Sequence, residues 1–326
     1  MTTYKTIRGT HIVSVTSDPP SPVNGQMWYN STDKAIKGLK SNPVGSWATV
    51  ASVNTGRYDA AGLGTREAAM FIGGNNSGAQ ALNEIWSGSS WTESADINTA
   101  RWEISGIGIT TAAIVAGGRT PASPNVSGDV ETWNGSSWTE TTNLGTIRKY
   151  GNMAGTDTEA ALYFGGIDDA PNSRVTLTES WNGSSWTEVA DLNQARSAFG
   201  AAGTETSALG FGGYTGTAYT GVTELYNGSS WTELNDLNNA RATLSGMGTS
   251  TAALYAGGND NNNVAFTEDW NGTSWTETTN LNTTRGNLAG AGTNTAGLAI
   301  SGAPTPTTAV EEWTAPTLTT VTFTVS

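Results

Sequence analysis

Cysteine is absent from the 326 residues, and histidine occurs once, at His11. The first absence excludes disulfides, thiolate metal sites and a cysteine nucleophile. The second leaves a Ser-His-Asp triad or a multi-histidine zinc site almost nothing to be built from. Charged residues are scarce at 13% and lopsided, 15 Lys and Arg against 28 Asp and Glu, for a net charge of −13. Such a surface repels phosphate backbones, so nucleic acid is not an expected partner. No apolar run approaches the roughly 18 residues of a membrane-spanning helix, and Met1–Thr10 lacks an apolar stretch of signal-peptide type. A soluble chain with no export signal and no membrane insertion is expected. Nor does any stretch carry apolar residues at a helical period, so helices are not expected either.

What the chain does have is glycine, 41 residues, and tryptophan, 13 residues. The tryptophans recur in a phrase. "WNGSSWTE" stands at 133–140 and again at 181–188, with near copies starting at Trp86, Tyr226 and Trp270. The second Trp of the phrase marks a repeat of 44 to 48 residues: Trp47, Trp91, Trp138, Trp186, Trp231 and Trp275. Ten residues after each comes an arginine: Arg57, Arg101, Arg148, Arg196, Arg241 and Arg285. A Gly-Gly pair follows in five units, with Ser301-Gly302 in the sixth place.

Each unit reads as four short strands. One follows the arginine and ends near "GxGT". A second, small and apolar, ends on the glycine pair, as in "TAALYAGG" at 251–258. A third ends on the first Trp, and the fourth begins at the second. Asn-Gly between the last two predicts a tight hairpin of type I′, whose two central residues need φ > 0. Two facing tryptophans would brace its arms, each ring burying roughly 150–250 Å². One such unit cannot bury both faces, but six arranged radially can, which predicts an all-β, six-bladed β-propeller.

The glycine pair, the Trp some 17–20 residues later and the Arg ten beyond it resemble the Kelch repeat over roughly residues 47–313. The sequence departs from that repeat in its short "WNGSSW" link between third and fourth strands. The last unit lacks the closing phrase after "EEW" (311–313), while "SWATV" (46–50) stands alone before the first unit. An N-terminal strand completing the sixth blade accounts for both. The expected domains are therefore an N-terminal segment with a hairpin (1–45), the propeller (46–316) and a C-terminal strand (317–326).

Length varies almost only between the glycine pair and the next marker Trp, in the connection from second to third strand. With alternating strands, these connections share one face of the disc with the links between blades. Function is disproportionately carried by loops on a rigid scaffold, so this face is the expected working face. Its candidate ligand contacts are Arg57, Arg101 and Arg148 of the arginine ring, the neighbouring Tyr58, Trp102 and Tyr150, and the loop residues Tyr214 and Tyr219. A ring of guanidiniums suits an acidic sugar, and the aromatics suit stacking on sugars. The competing reading pairs each arginine with a repeated acid: Glu84, Glu131, Glu179, Glu224, Glu268 and Glu311. Asp168-Asp169 and Asn259–Asn263 offer oxygens for calcium but lack a fixed ligand spacing, so no metal and no cofactor is expected.

Residues 1–45 do not repeat. "GQMWYN", a polar "STDK" turn and "AIKGLK" read as an extra hairpin. Through "GQMWYNST", followed by "GSWATVASVNTGRYDAAGLGT", this region resembles Kelch-like repeat proteins of tailed, marine bacteriophages. The resemblance implies a virion protein of tail-fibre type, made in the host cytoplasm. Its N-terminal segment would dock to other virion proteins, with a homo-oligomer allowed. Two functions follow as expectations: binding of a host-surface glycan through the variable loops, or structural decoration packed against other virion proteins. An enzyme is not expected, because galactose-oxidase-like Kelch enzymes need copper held by His, Tyr and Cys. The sialidase Asp-box is approached at Gly135 and Trp138 but lacks its aspartate.

Overall fold

The computed structural model describes residues 12–21, 26–42, 44–123, 125–170, 173–243 and 245–323, and His11 lies outside them. The described residues contain strands and turns and no helix. They fall into two compact units. Ser46–Thr314 form one, and the described residues before 46 and after 314 form the other, so strand Thr317–Phe323 belongs with the N-terminal segment rather than standing alone.

Ser46–Thr314 holds six four-stranded antiparallel sheets among the described residues. The second is representative: Ser105–Ile109, Ala112–Ala116, Val130–Trp133 and Trp138–Glu140. The sixth takes its outer strand from far upstream, with Ser46–Val50 antiparallel to Val310–Thr314 and Trp47 opposite Trp313. The first strands of successive sheets touch in cyclic order, and that of the sixth touches that of the first. The arrangement is propeller-like.

Burial along the strands explains the composition. The second strand of each sheet lies between two neighbouring sheets and is largely apolar. "AMFI" at 69–72 and "ALYF" at 161–164 are buried at every position. Such strands read as continuous apolar runs rather than alternating ones. The fourth strand buries only its Trp, and its Thr and Glu face water, a charged edge that discourages pairing with another chain. First strands of neighbouring sheets pack closely side by side, and at some positions a side chain has no room. A Cβ on Gly62 would sit 2.7 Å from the Gly290 carbonyl oxygen, and one on Gly246 would sit 2.5 Å from the Ala201 nitrogen.

The aromatic pairs recur in all six sheets: Trp47–Trp313, Trp86–Trp91, Trp133–Trp138, Trp181–Trp186, Tyr226–Trp231 and Trp270–Trp275. Their ring centroids are 5.2 to 5.3 Å apart. Their N–H groups are used differently. Trp133 donates to the Thr110 carbonyl in the turn of its own sheet (2.9 Å), whereas Trp138 donates to Ala95, in the link from the preceding sheet (3.1 Å). Trp138 therefore holds both its hairpin and its neighbour.

The hairpin tip differs from a type I′ turn. Trp133 pairs directly with Trp138, leaving a four-residue loop, and of its residues only Gly135 has positive φ (92°). Asn134 instead turns its side chain inward, and its Oδ1 accepts from the amides of Ser136 (2.9 Å) and Ser137 (3.0 Å). Asn182, Asn227 and Asn271 repeat this. A carboxamide that substitutes for a backbone acceptor two and three residues on is an Asx-type turn, and it relieves Asn of any need for left-handed backbone.

The other unit is a four-stranded sheet. Met27–Asn30 and Ala35–Asn42 form a hairpin, Val13–Val15 runs parallel to the first of them, and Thr317–Phe323 pairs with the second. Asp18 anchors it: its carboxylate accepts from Asn30 Nδ2 (2.8 Å) and Trp28 Nε1 (3.0 Å) and pairs with Lys37 (2.9 Å). Those hydrogen bonds, Asn30's foremost, hold its pKa at about 2.

Candidate functional site

Each arginine of the repeat is buried beneath the approach to a first strand, with 0 or 1% of its surface exposed. Arg101 donates to Glu131 (2.8 Å) and to the carbonyls of Gly117 (2.9 Å) and Asp129 (2.6 Å). The same pairing joins Arg57 to Glu84, Arg148 to Glu179, Arg196 to Glu224, Arg241 to Glu268 and Arg285 to Glu311. The second oxygen of each glutamate accepts an amide three residues before the arginine, as Glu131 does from Asn98 (2.7 Å) and Glu224 from Asn193 (2.7 Å). Arg57, Arg101 and Arg148 are thus not available to a ligand. A guanidinium held by a carboxylate and strand-end carbonyls is an internal brace, and burial without such partners would be prohibitive.

The segment after each arginine lies against the residue that follows the glycine pair. Tyr58 bridges to Asn75, Trp102 to Arg119, Ser197 to Tyr214 and Ala242 to Asn259. Variable connections and first-strand approaches therefore meet on one face. Trp102 and Tyr58 are half-buried there. The Arg119 guanidinium lies 5.2 Å from the Trp102 ring, so that ring already carries a cation on its face.

One residue further on, two past each arginine, stand Asp59, Glu103, Tyr150, Ala198, Thr243 and Asn287. All but Thr243 hold left-handed backbone, with φ of 51 to 59°. Their backbones link around the ring: Glu103 N–H to Asp59 carbonyl (2.8 Å), Tyr150 to Glu103 (3.0 Å), Ala198 to Tyr150 (2.9 Å) and Asp59 to Asn287 (3.0 Å). Left-handed backbone costs a residue with a Cβ about 1 kcal/mol or more, so the ring is held by its surroundings.

Side chains gather on this ring. Asp59 Oδ2 accepts from the Tyr150 hydroxyl (3.0 Å) and Oδ1 from Asn287 Nδ2 (2.7 Å). Glu103 lies 3.6 Å from both Lys149 and Arg119. Burial, then the charge of Glu103, pushes Asp59 up to about 7 despite its hydrogen bonds. Burial also raises Glu103, against the pull of Lys149 and Arg119, and lifts Tyr150 well above the ordinary tyrosine range.

Asp59, Tyr150 and Asn287 form one wall of a 290 Å³ cavity. Tyr214, Tyr219 and Asn259, from the variable connections of the fourth and fifth sheets, also line it. The two tyrosine rings are 5.1 Å apart, and the Arg174 guanidinium lies 5.1 Å from that of Tyr214. The Tyr219 hydroxyl donates to Asn259 Oδ1 (2.5 Å). The same tyrosines line a second hollow with Thr217, Asp260 and Asn261. Of the eight candidates, the structure brings together Tyr150, Tyr214 and Tyr219. It buries the three arginines and leaves Tyr58 and Trp102 outside the cavity.

Asp59, Asn287 and Asn259 line the cavity without having been among the expected contacts. Asp59 and Asn287 stand two residues past an arginine and Asn259 directly after a glycine pair, positions whose residue changes from unit to unit.

No family model matches the chain, and no curated protein does. The solved structure of YjhT superimposes with a TM-score of 0.66 at 12% sequence identity, covering 82% of this chain and 99% of that one. The likeness is one of fold. It agrees with four-stranded antiparallel sheets in a propeller-like array.

Proposed function

We propose that the chain is a non-enzymatic virion protein of a tailed bacteriophage, built on a six-bladed Kelch-like propeller latched by strand 46–50. Its variable loops bind a host-surface glycan, and its N-terminal unit docks to the particle. The observation that carries the binding reading is the cavity: loops that differ in length between units converge on one face and there enclose paired tyrosines beside hydrogen-bonding side chains. Aromatic faces with polar tips, set among carboxyl and carboxamide groups, suit a ligand that is apolar on its flat faces and hydroxylated at its rim. The phage assignment rests on the resemblance through "GQMWYNST" and the Trp-rich repeat.

The test is adsorption of the labelled full chain to host cells and to their extracted surface polysaccharide, beside Tyr219→Ala. Saturable binding that weakens at least tenfold in the variant is the expected result. A folded chain that binds neither cells nor polysaccharide overturns the reading in favour of structural decoration of the particle.

A further inference from the structure

We propose that the cavity between Asp59, Tyr150, Tyr214, Tyr219, Asn259 and Asn287 is a recognition site for a single uncharged pyranose residue. The inference deepens the glycan-binding reading and rests on it for its biological role, while its chemistry is argued from the cavity alone.

Size comes first. Pockets for drug-sized ligands run from about 300 to 1,000 Å³, so 290 Å³ fits one sugar ring better than a larger aglycone. The second hollow beyond the tyrosine pair gives a continuing chain somewhere to go. Shape comes next. Tyr219, with its ring tilted 49° to that of Tyr214, gives the cavity an aromatic wall for the C–H face of a pyranose.

The polar groups supply the rest. A sugar hydroxyl both donates and accepts, and the wall holds both capacities: the Asp59 carboxyl, the carboxamides of Asn259 and Asn287, and the Tyr150 hydroxyl. They are already joined to one another at 2.5 to 3.0 Å (Asp59 to Tyr150 and Asn287, Tyr219 to Asn259), which fixes their directions before a ligand arrives.

Charge selects among sugars. An acidic sugar would bring its carboxylate toward Asp59, with Glu103 next on the ring and a chain of net charge −13 around it. The cation at the cavity, Arg174, lies over the Tyr214 ring. An amino sugar would bring its ammonium toward the Arg174 guanidinium. An uncharged ring meets neither penalty.

The experiment is saturation-transfer NMR and titration on the full chain with glucose, galactose, N-acetylglucosamine, glucosamine and glucuronic acid at millimolar concentration. At least one uncharged sugar is expected to bind, at least tenfold more tightly than the two charged ones. Tyr219→Ala and Tyr214→Ala should weaken it at least tenfold, with Trp102→Ala, on the same face but outside the cavity, unchanged. Preference for glucosamine or glucuronic acid, no binding of any uncharged sugar, or indifference to both tyrosine variants overturns the inference. Adsorption to cells is scored separately. Cell binding that survives Tyr219→Ala, without sugar binding, removes the cavity inference and leaves the receptor-binding reading. Sugar binding without adsorption does the reverse.

Discussion

Asp59 shows how one residue can work against the fold that contains it. It is 5% exposed, and its pKa rises from an ordinary 3.8 to about 7, first through burial and then through Glu103. The native state therefore holds this proton more tightly than the unfolded chain does. Stability from this group is full below pH 4 and is lost as pH rises toward 7. Each pH unit between the folded and unfolded values is worth about 1.4 kcal/mol, which makes the loss on the order of 4 kcal/mol. Asp59→Asn mimics the protonated acid. Its melting temperature should match the parent's near pH 4 and exceed it at pH 8.5, with a shallower fall between the two. An unchanged pH slope in calorimetry would show that Asp59 is ionised throughout. The arginines, whose charged form burial also disfavours, depend on their glutamates. Glu131→Gln should leave the Arg101 guanidinium poorly compensated and cost about 3–5 kcal/mol in urea denaturation, whereas an exposed pair such as Arg66–Glu67 should cost less than about 1.

At the scale of the element, the hairpin tip is held by a side chain. Asn182 accepts from the amides of Ser184 (3.0 Å) and Ser185 (2.9 Å). The first sheet has Ser87 in this place, whose hydroxyl accepts from the Ser90 amide at 3.3 Å. Asn182→Ala should therefore cost about 1 kcal/mol, and Asn182→Ser should recover part of it, both read from thermal unfolding. Equal losses in the two variants would place the stability of the tip in the Trp181–Trp186 pair alone. Most of this element was legible in the sequence, because two tryptophans five residues apart must face each other across so short a loop. The turn class was not. Asn-Gly supports both a left-handed pair and a side-chain cap, and only the direct Trp-to-Trp register, which leaves four loop residues, selects the second.

Across the whole molecule, six sheets are tied by the same bond. The N–H of the second glycine donates to the next arginine's carbonyl, from Gly74 to Arg101 (2.8 Å) through Gly258 to Arg285 (2.9 Å), and Gly302 returns it to Arg57 (3.1 Å). Ser301, with φ of 57° where the other units have glycine, adds its hydroxyl. Its Oγ accepts the Arg57 amide (2.8 Å) and donates to the Arg57 carbonyl (2.5 Å). The weakest covalent link is the sixth sheet, whose outer strand reaches it with no hairpin. Trp47→Ala should cost about 3–5 kcal/mol, as a buried Trp does elsewhere. It should also raise amide exchange in Val310–Thr314 and in the first strand of the first sheet. Trp138→Ala should cost a similar amount without exposing the first–sixth junction, because its strand is tethered by a four-residue loop. Equal exchange patterns would mean that the ring opens at no preferred place.

What the sequence determined by itself was whatever repeats at short range: the number of units, four strands in each, the tryptophan hairpins, and the confinement of length change to the second-to-third connections. These follow from spacing and from local burial, which a periodic chain states six times. Tertiary structure decided the rest. The arginines could equally have ringed a binding site, and their burial depended on glutamates 26 to 31 residues away and on the carbonyls at strand ends. The cavity wall joins Asp59 to Tyr150, 91 residues on, and to Asn287, 228 residues on. No local pattern encodes such contacts, because they exist only when the ring brings first-strand approaches from different sheets to one axis.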